Sequence, residues 1–171
     1  MVNNSPHTNY EIANFQKQAG MIDEVLRINV EGITHEESLI QPRPGGNCLN
    51  WVVGHLLWTY NYNLPVLDQQ PVVEEGVLER YARGKPPFKN GDEVIPFEEV
   101  MRIWVDSDKA VKTGLNNLMI DQLDQPAKRH PNDESNETIR ERITGVLFHQ
   151  SYHVGQTALL RRLIGKDGAI E

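Results

Sequence analysis

His149 and His153 stand four residues apart in the stretch HQSYHVGQ, with Gln156 three residues beyond the second histidine. In an α-helix this spacing puts both imidazoles on one face, about 6 Å apart along the axis. A single inward histidine is usually a hydrogen-bonded core residue. Two stacked ones must each find a partner, because buried polar groups without one are costly, and a shared metal ion serves both at once. A third candidate is His55 in NWVVGHLLW, with Trp51 four residues before it and Trp58 three after it. Three neutral imidazoles leave at least one coordination position open, which is the arrangement of a catalytic rather than a closed structural site.

Three related chemistries fail on the letters. A zinc protease of the HExxH type needs a glutamate as general base where this chain has Gln150. A di-iron carboxylate bundle needs Glu-x-x-His pairs, which the helical segments lack. An i, i+4 histidine pair cannot bind opposite faces of one haem iron. Two plain alternatives stay open: a metal-binding module without turnover, and a bundle whose histidines are core residues.

The elements that must position these residues are helical. Apolar periodicity marks four long segments, at about 9–29, 48–64, 97–119 and 136–165. In the first, Tyr10, Ile12, Phe15, Met21, Ile22, Val25 and Leu26 are the apolar positions. Asn47 is the expected cap of the second, and Pro65 ends or kinks it. Val100, Ile103, Trp104, Val111, Leu115 and Leu118 face inward in the third, and Gly165 terminates the fourth. In that last helix the histidines are placed at the centre of the inward stripe, with Gly145, Val146, Leu160, Leu163 and Ile164. Leu147, Val154 and Ala158 form a second apolar strip, either a dimer face or a surface covered by the connection.

That connection, 70–96, carries four prolines and a short helical piece near 76–84. Its length lets it run along a bundle, so the second and third helices are expected to be parallel. The fold class is therefore all-α: a single-domain four-helix bundle over 1–171, up-down-down-up, with a long crossover between helices 2 and 3.

Composition narrows the function classes. The net charge of -7 argues against a nucleic-acid partner or an anionic membrane surface. No run approaches a membrane span, and the amino terminus has no secretory pattern, so a cytoplasmic protein is expected. One cysteine, Cys48, excludes a disulfide framework and reads as a small buried apolar residue. Arg140, Arg142, Arg161, Arg162 and Lys166 read as a solvated helix face. His7, His35 and His130 read as surface residues.

NWVVGHLLW in the second helix and HQSYHVGQ in the last resemble the DinB-like (DinB/YfiT) superfamily of metal-binding four-helix bundles. The resemblance covers nearly the whole chain. It implies a three-histidine site at His55, His149 and His153, a divalent ion, most often nickel or zinc, and a homodimer. Members with assigned activities include S-transferases that use bacillithiol, mycothiol or glutathione, and maleylpyruvate isomerases. The expected function is thus metal-dependent thiol S-transfer to a small electrophilic substrate, with a low-molecular-weight thiol as cosubstrate. Metal-dependent hydrolysis is second, because no Asp or Glu is evident on the histidine-bearing stripes to act as base. Tyr62, Thr59, Tyr152 and Gln156 are the candidates to orient a bound group or a ligand imidazole.

Overall fold

The computed structural model describes residues 10–89, 91–129 and 135–168. Its elements are α1 (Tyr10–Val30), a one-turn α2 (His35–Ser38), α3 (Leu49–Asn63), α4 (Phe97–Asn117) and α5 (Ile139–Leu163). Short 3-10 turns follow α3 at Leu64–Leu67 and occur at Glu79–Tyr81 and Ile120–Gln122. No strand occurs among the described residues. The four long helices form a bundle in which α1 and α3 each pack against both α4 and α5. None of the helices described is long and apolar enough to cross a membrane. His7 and His130 lie outside the described residues.

Local chemistry explains the helix ends. Thr138 accepts from the Glu141 N–H while the Glu141 carboxylate accepts from the Thr138 N–H, a capping box that starts α5. Thr34 and Glu37 repeat it at α2. At the other end of α5, Gly165 at φ +90 donates to Arg162 O and Lys166 donates to Arg161 O, which closes the helix on the expected glycine. Asn47 does not cap α3: Cys48 holds the cap position without a side-chain bond. Pro65 sits just past α3, as expected, inside the 3-10 turn. His35 is not a plain surface residue, since its Nδ1 accepts from the Phe97 N–H at 3.2 Å and so serves the start of α4.

The core is a single apolar cluster drawn from all four long helices, and the third-helix stripe is buried nearly as expected, with Leu118 only partly so. Two corrections come from α1 and α5. Tyr10 and Met21 are exposed, and the inward face of α1 carries Asp23 instead. Asp23 accepts from Trp104 Nε1 at 2.9 Å, Lys112 Nζ at 3.0 Å and Arg27 Nε at 2.7 Å. Burial pulls its pKa upward, but these three donors together outweigh burial and hold the carboxyl below its ordinary range.

On α5 the buried line is Ile143, Leu147, Gln150, Val154, Thr157 and Leu160. Leu147 and Val154 are therefore core, not a dimer face or a surface under the connection. His149, His153 and Gln156 lie half-buried along its border rather than at its centre, and Gly145 and Leu163 are exposed. The physical reason lies in Gln150 and Thr157. Gln150 donates to Leu56 O of α3 at 3.0 Å, and Thr157 accepts from Asn29 Nδ2 of α1 at 3.0 Å. Both polar residues are fully buried, and each makes one hydrogen bond to a neighbouring helix, though Gln150 Oε1 has no partner among the described residues.

The connection after α3 is fixed to that helix at three places. Asn61 accepts from the Val72 and Val73 N–H groups, His55 Nδ1 lies 2.7 Å from Tyr81 O, and Asn50 donates to Ile95 O at 3.0 Å. Tyr81 is the centre of this attachment. Its hydroxyl donates to Asn50 Oδ1 and accepts from the Ile95 N–H. Its ring lies so close to Gly54 that a Cβ there would fall 2.0 Å from Tyr81 Cδ1. The short helical piece expected near 76–84 is thus one 3-10 turn, held down by this tyrosine.

Candidate metal centre

Three imidazoles converge where α3 meets α5. His55, His149 and His153 each offer a ring nitrogen, and the three atoms lie within 4.8 Å of one another. His55 Nε2 and His149 Nε2 are 3.1 Å apart. Tetrahedral coordination with bonds of 2.0–2.1 Å places ligand nitrogens about 3.3 Å apart, so the cluster is close to the size one divalent ion requires.

Hydrogen bonding fixes which nitrogen faces inward. A carbonyl oxygen only accepts, so His55 donates Nδ1–H to Tyr81 O and keeps its Nε2 lone pair for the cluster. His153 does the same through Gln156 Oε1, 2.8 Å from its Nδ1. Two of the three imidazoles are therefore oriented and tautomerically set as Nε2 ligands by groups behind them. The Nδ1 of His149 is buried and has no hydrogen-bond partner among the described residues. This donor set fits a borderline ion such as zinc or nickel.

Electrostatics favours the neutral form of two of these imidazoles. Burial, then the neighbouring His153 and His55, push the His149 pKa from its ordinary 6.5 down to about 4. Burial also lowers His55. Neutral imidazole is the metal-binding form, so the site is ready near pH 7. The depressed values carry a linkage consequence for the metal-free protein. Above about 6.5 folded and unfolded chains hold the same charge on His149. As pH falls toward about 4 only the unfolded chain takes the proton, so stability is lost in that window. Urea denaturation of metal-free protein at pH 7 and pH 4.5 is expected to show this loss, and His149→Gln is expected to reduce it.

The other expected site residues divide. Gln156 is in place behind His153. Thr59 is buried, its hydroxyl has no partner, and it lines the cleft beside the cluster. Tyr62 is exposed at the same cleft, stacked on Trp58. Tyr152 is exposed and lines a separate depression next to His153. Arg142 also belongs to the cleft, paired with Glu137, and is no plain solvated charge. Cys48 is fully buried, and burial raises its pKa, as a small apolar residue would require.

Gln150 shows that the protease-like spacing has no hidden meaning. It sits where HExxH carries glutamate, yet its amide reaches across to Leu56 O. Gln150→Glu sets a carboxylate against that carbonyl in a fully buried position. It is expected to cost about 2–4 kcal/mol of stability, read from urea unfolding, and to create no peptidase activity.

Residues the sequence did not flag also shape the site. Tyr81 orients His55, and Gly54 makes room for Tyr81. Glu137 and Glu141 reach the cleft from the α4–α5 connection and the first turn of α5. That connection folds back on itself, with Ala127 N–H donating to Glu137 O and Ile139 N–H to Gln125 O. Only the Thr-x-x-Glu box could have placed Glu141 in advance.

Comparison with known proteins agrees with the fold. No curated protein sequence matches the chain significantly. Among solved structures, a conserved protein from Enterococcus faecalis is similar with a TM-score of 0.65 and 18% identity, over 90% of this chain and 97% of that one. At that identity the likeness concerns the fold alone. The family model of the DinB superfamily matches residues 21–157, a span holding all three histidines, and the chain accordingly belongs to the DinB superfamily.

Proposed function

We propose that this chain is a metal-dependent enzyme that transfers a small thiol to an electrophilic carbon of a small molecule, in the cytoplasm. The observation that carries the reading is the convergence of three imidazole ring nitrogens, two of the rings pinned from behind, at an open cleft of about 350 Å³. A divalent ion there supplies a Lewis acid that brings the pKa of a thiol or water into the neutral range. His55, His149 and His153 hold it, while Tyr81 O and Gln156 keep two of the rings in register.

The carboxylates bear on the choice of nucleophile. Glu137 is paired with Arg142, and Glu141 is occupied by the Thr138 N–H and hydroxyl. Both carboxylates are engaged by neighbours, and the Thr138 bonds hold the Glu141 carboxyl below its ordinary range, which favours a thiol, with an ordinary pKa near 8.5, over water. Metal-dependent hydrolysis is the second reading, because these two glutamates do line the cleft.

The reading includes the up-down-down-up arrangement. Supporting it, the start of α3 meets the start of α4 through Asn50 and Ile95, while the turn ending α3 meets the end of α4 where Leu67 packs on Gly114. It also includes a homodimer, for which the exposed Phe148, Tyr152, Leu159 and Leu163 on α5 offer an apolar face. Sedimentation analysis tests that part.

The activity is tested by incubating nickel- or zinc-loaded protein with an electrophilic haloarene and, in turn, bacillithiol, mycothiol or glutathione. Thioether formation that requires both metal and His153 is the expected result. No turnover with any thiol, by a protein that holds its metal, removes the transferase reading and leaves hydrolysis.

A further inference from the structure

Arg83 lies two residues beyond the Tyr81 carbonyl that orients His55, so one turn of the crossover places both. It lines the cleft of about 350 Å³ beside His55 and His149, and also a second depression of about 460 Å³ beside His149 and His153. It therefore stands on the rim between the two openings to the histidine cluster. Its charge reaches both His55 and His149.

The other charges of the cleft are already committed. Arg142 pairs with Glu137, Glu141 closes the α5 capping box, and the Arg129 guanidinium lies 4.9 Å over the Tyr62 ring. Arg83 is exposed and makes no hydrogen bond or ion pair with any described residue. A guanidinium beside three imidazoles opposes the binding of a cation there. A site that only stored or sensed an ion would be better without it. The arrangement becomes favourable once an anion bridges the two positive centres.

We propose that Arg83 determines substrate specificity, and that the substrate carries an oxyanionic group, carboxylate or phosphoryl, which this guanidinium pairs while the reacting atom faces the three histidines. The inference rests on the metal-site reading above. The planar fork of arginine matches either oxyanion in a bidentate way, so lysine is an imperfect replacement. A chain of net charge -7 thus turns a locally cationic mouth toward an anionic ligand.

The test uses cobalt(II)-loaded full-length protein, titrated with inorganic phosphate and, separately, with benzoate. Calorimetry and the visible d–d bands report binding. Cobalt content per chain is measured first, and a wild-type protein that takes up none overturns the metal reading and the inference with it. With cobalt bound, the wild type is expected to bind at least one of the two anions, and the better one identifies the oxyanion class. Arg83→Gln is expected to keep its cobalt and its thermal stability but to bind that anion about tenfold to a hundredfold more weakly. Arg83→Lys is expected to fall between. Equal anion affinity in wild type and Arg83→Gln, or no binding of either anion to the cobalt-loaded wild type, overturns the role of Arg83 and leaves the metal site standing.

Discussion

A His149→Ala protein purified without chelator is expected to carry almost no metal, while the wild type carries one divalent ion per chain. Binding free energies of imidazole and thiolate sites divide to roughly 3 kcal/mol per ligand, so losing one of three costs on the order of a hundredfold in affinity. The effect on the metal-free protein separates this role from a packing role. His149 is half-buried at the edge of an open cleft, its Nδ1 has no partner, and its pKa is pushed to about 4. Removing it exposes no core and relieves a desolvated polar group. Metal-free His149→Ala is therefore expected to stay within about 1 kcal/mol of metal-free wild type at pH 7. A histidine kept for core packing would behave in the opposite way, with no metal to lose and a stability loss of several kcal/mol. Elemental analysis and urea unfolding of the two proteins decide between them.

Gly54→Ala is expected to be the most damaging single-methyl change in the chain. The added Cβ would lie 2.0 Å from Tyr81 Cδ1, and the ring has nowhere to go. Tyr81 is 1% exposed and its hydroxyl is bonded on both sides, to Asn50 and to the Ile95 N–H. Overpacking by one methyl costs about 1–3 kcal/mol, and displacing the ring puts up to three hydrogen bonds at risk, including the one that orients His55. A total loss above about 3 kcal/mol is expected, with weakened metal binding in whatever folds. Gly20→Ala is the matched control. It lies inside α1 with nothing within 4 Å of the added atom, so the higher helix propensity of alanine should stabilise by about 0.5–1 kcal/mol. Opposite signs for the same chemical change, measured by urea unfolding, would show that contact with Tyr81 is the cause.

The expectations that held and those that failed differ in kind. Helix positions followed from apolar period and from Gly and Pro, because those signals act within a few residues. The buried stripe on α5 does not follow its apolar residues alone. Val146, Leu160, Leu163 and Ile164 drew its centre toward the histidines, whereas Gln150 and Thr157 occupy the most buried positions. Burying a polar residue costs less where another element bonds to it, and the partners of Gln150 and Thr157, Leu56 O and Asn29, belong to other helices. The Thr138–Glu141 box obeys the same short-range logic.

The sequence by itself determined the all-helical class, the four long helices within a few residues, and the three histidines with Gln156 as the candidate site. Those follow from spacing, since a helix turns i, i+4 into one face wherever it lies. Only the tertiary structure decided that His55 meets His149 at 3.1 Å, that Tyr81 O sets its tautomer, and that Arg83 stands at the mouth. Each of those depends on where the crossover is fastened to α3. That fastening is a contact between Gly54 and a ring 27 residues later, and no local periodicity encodes it.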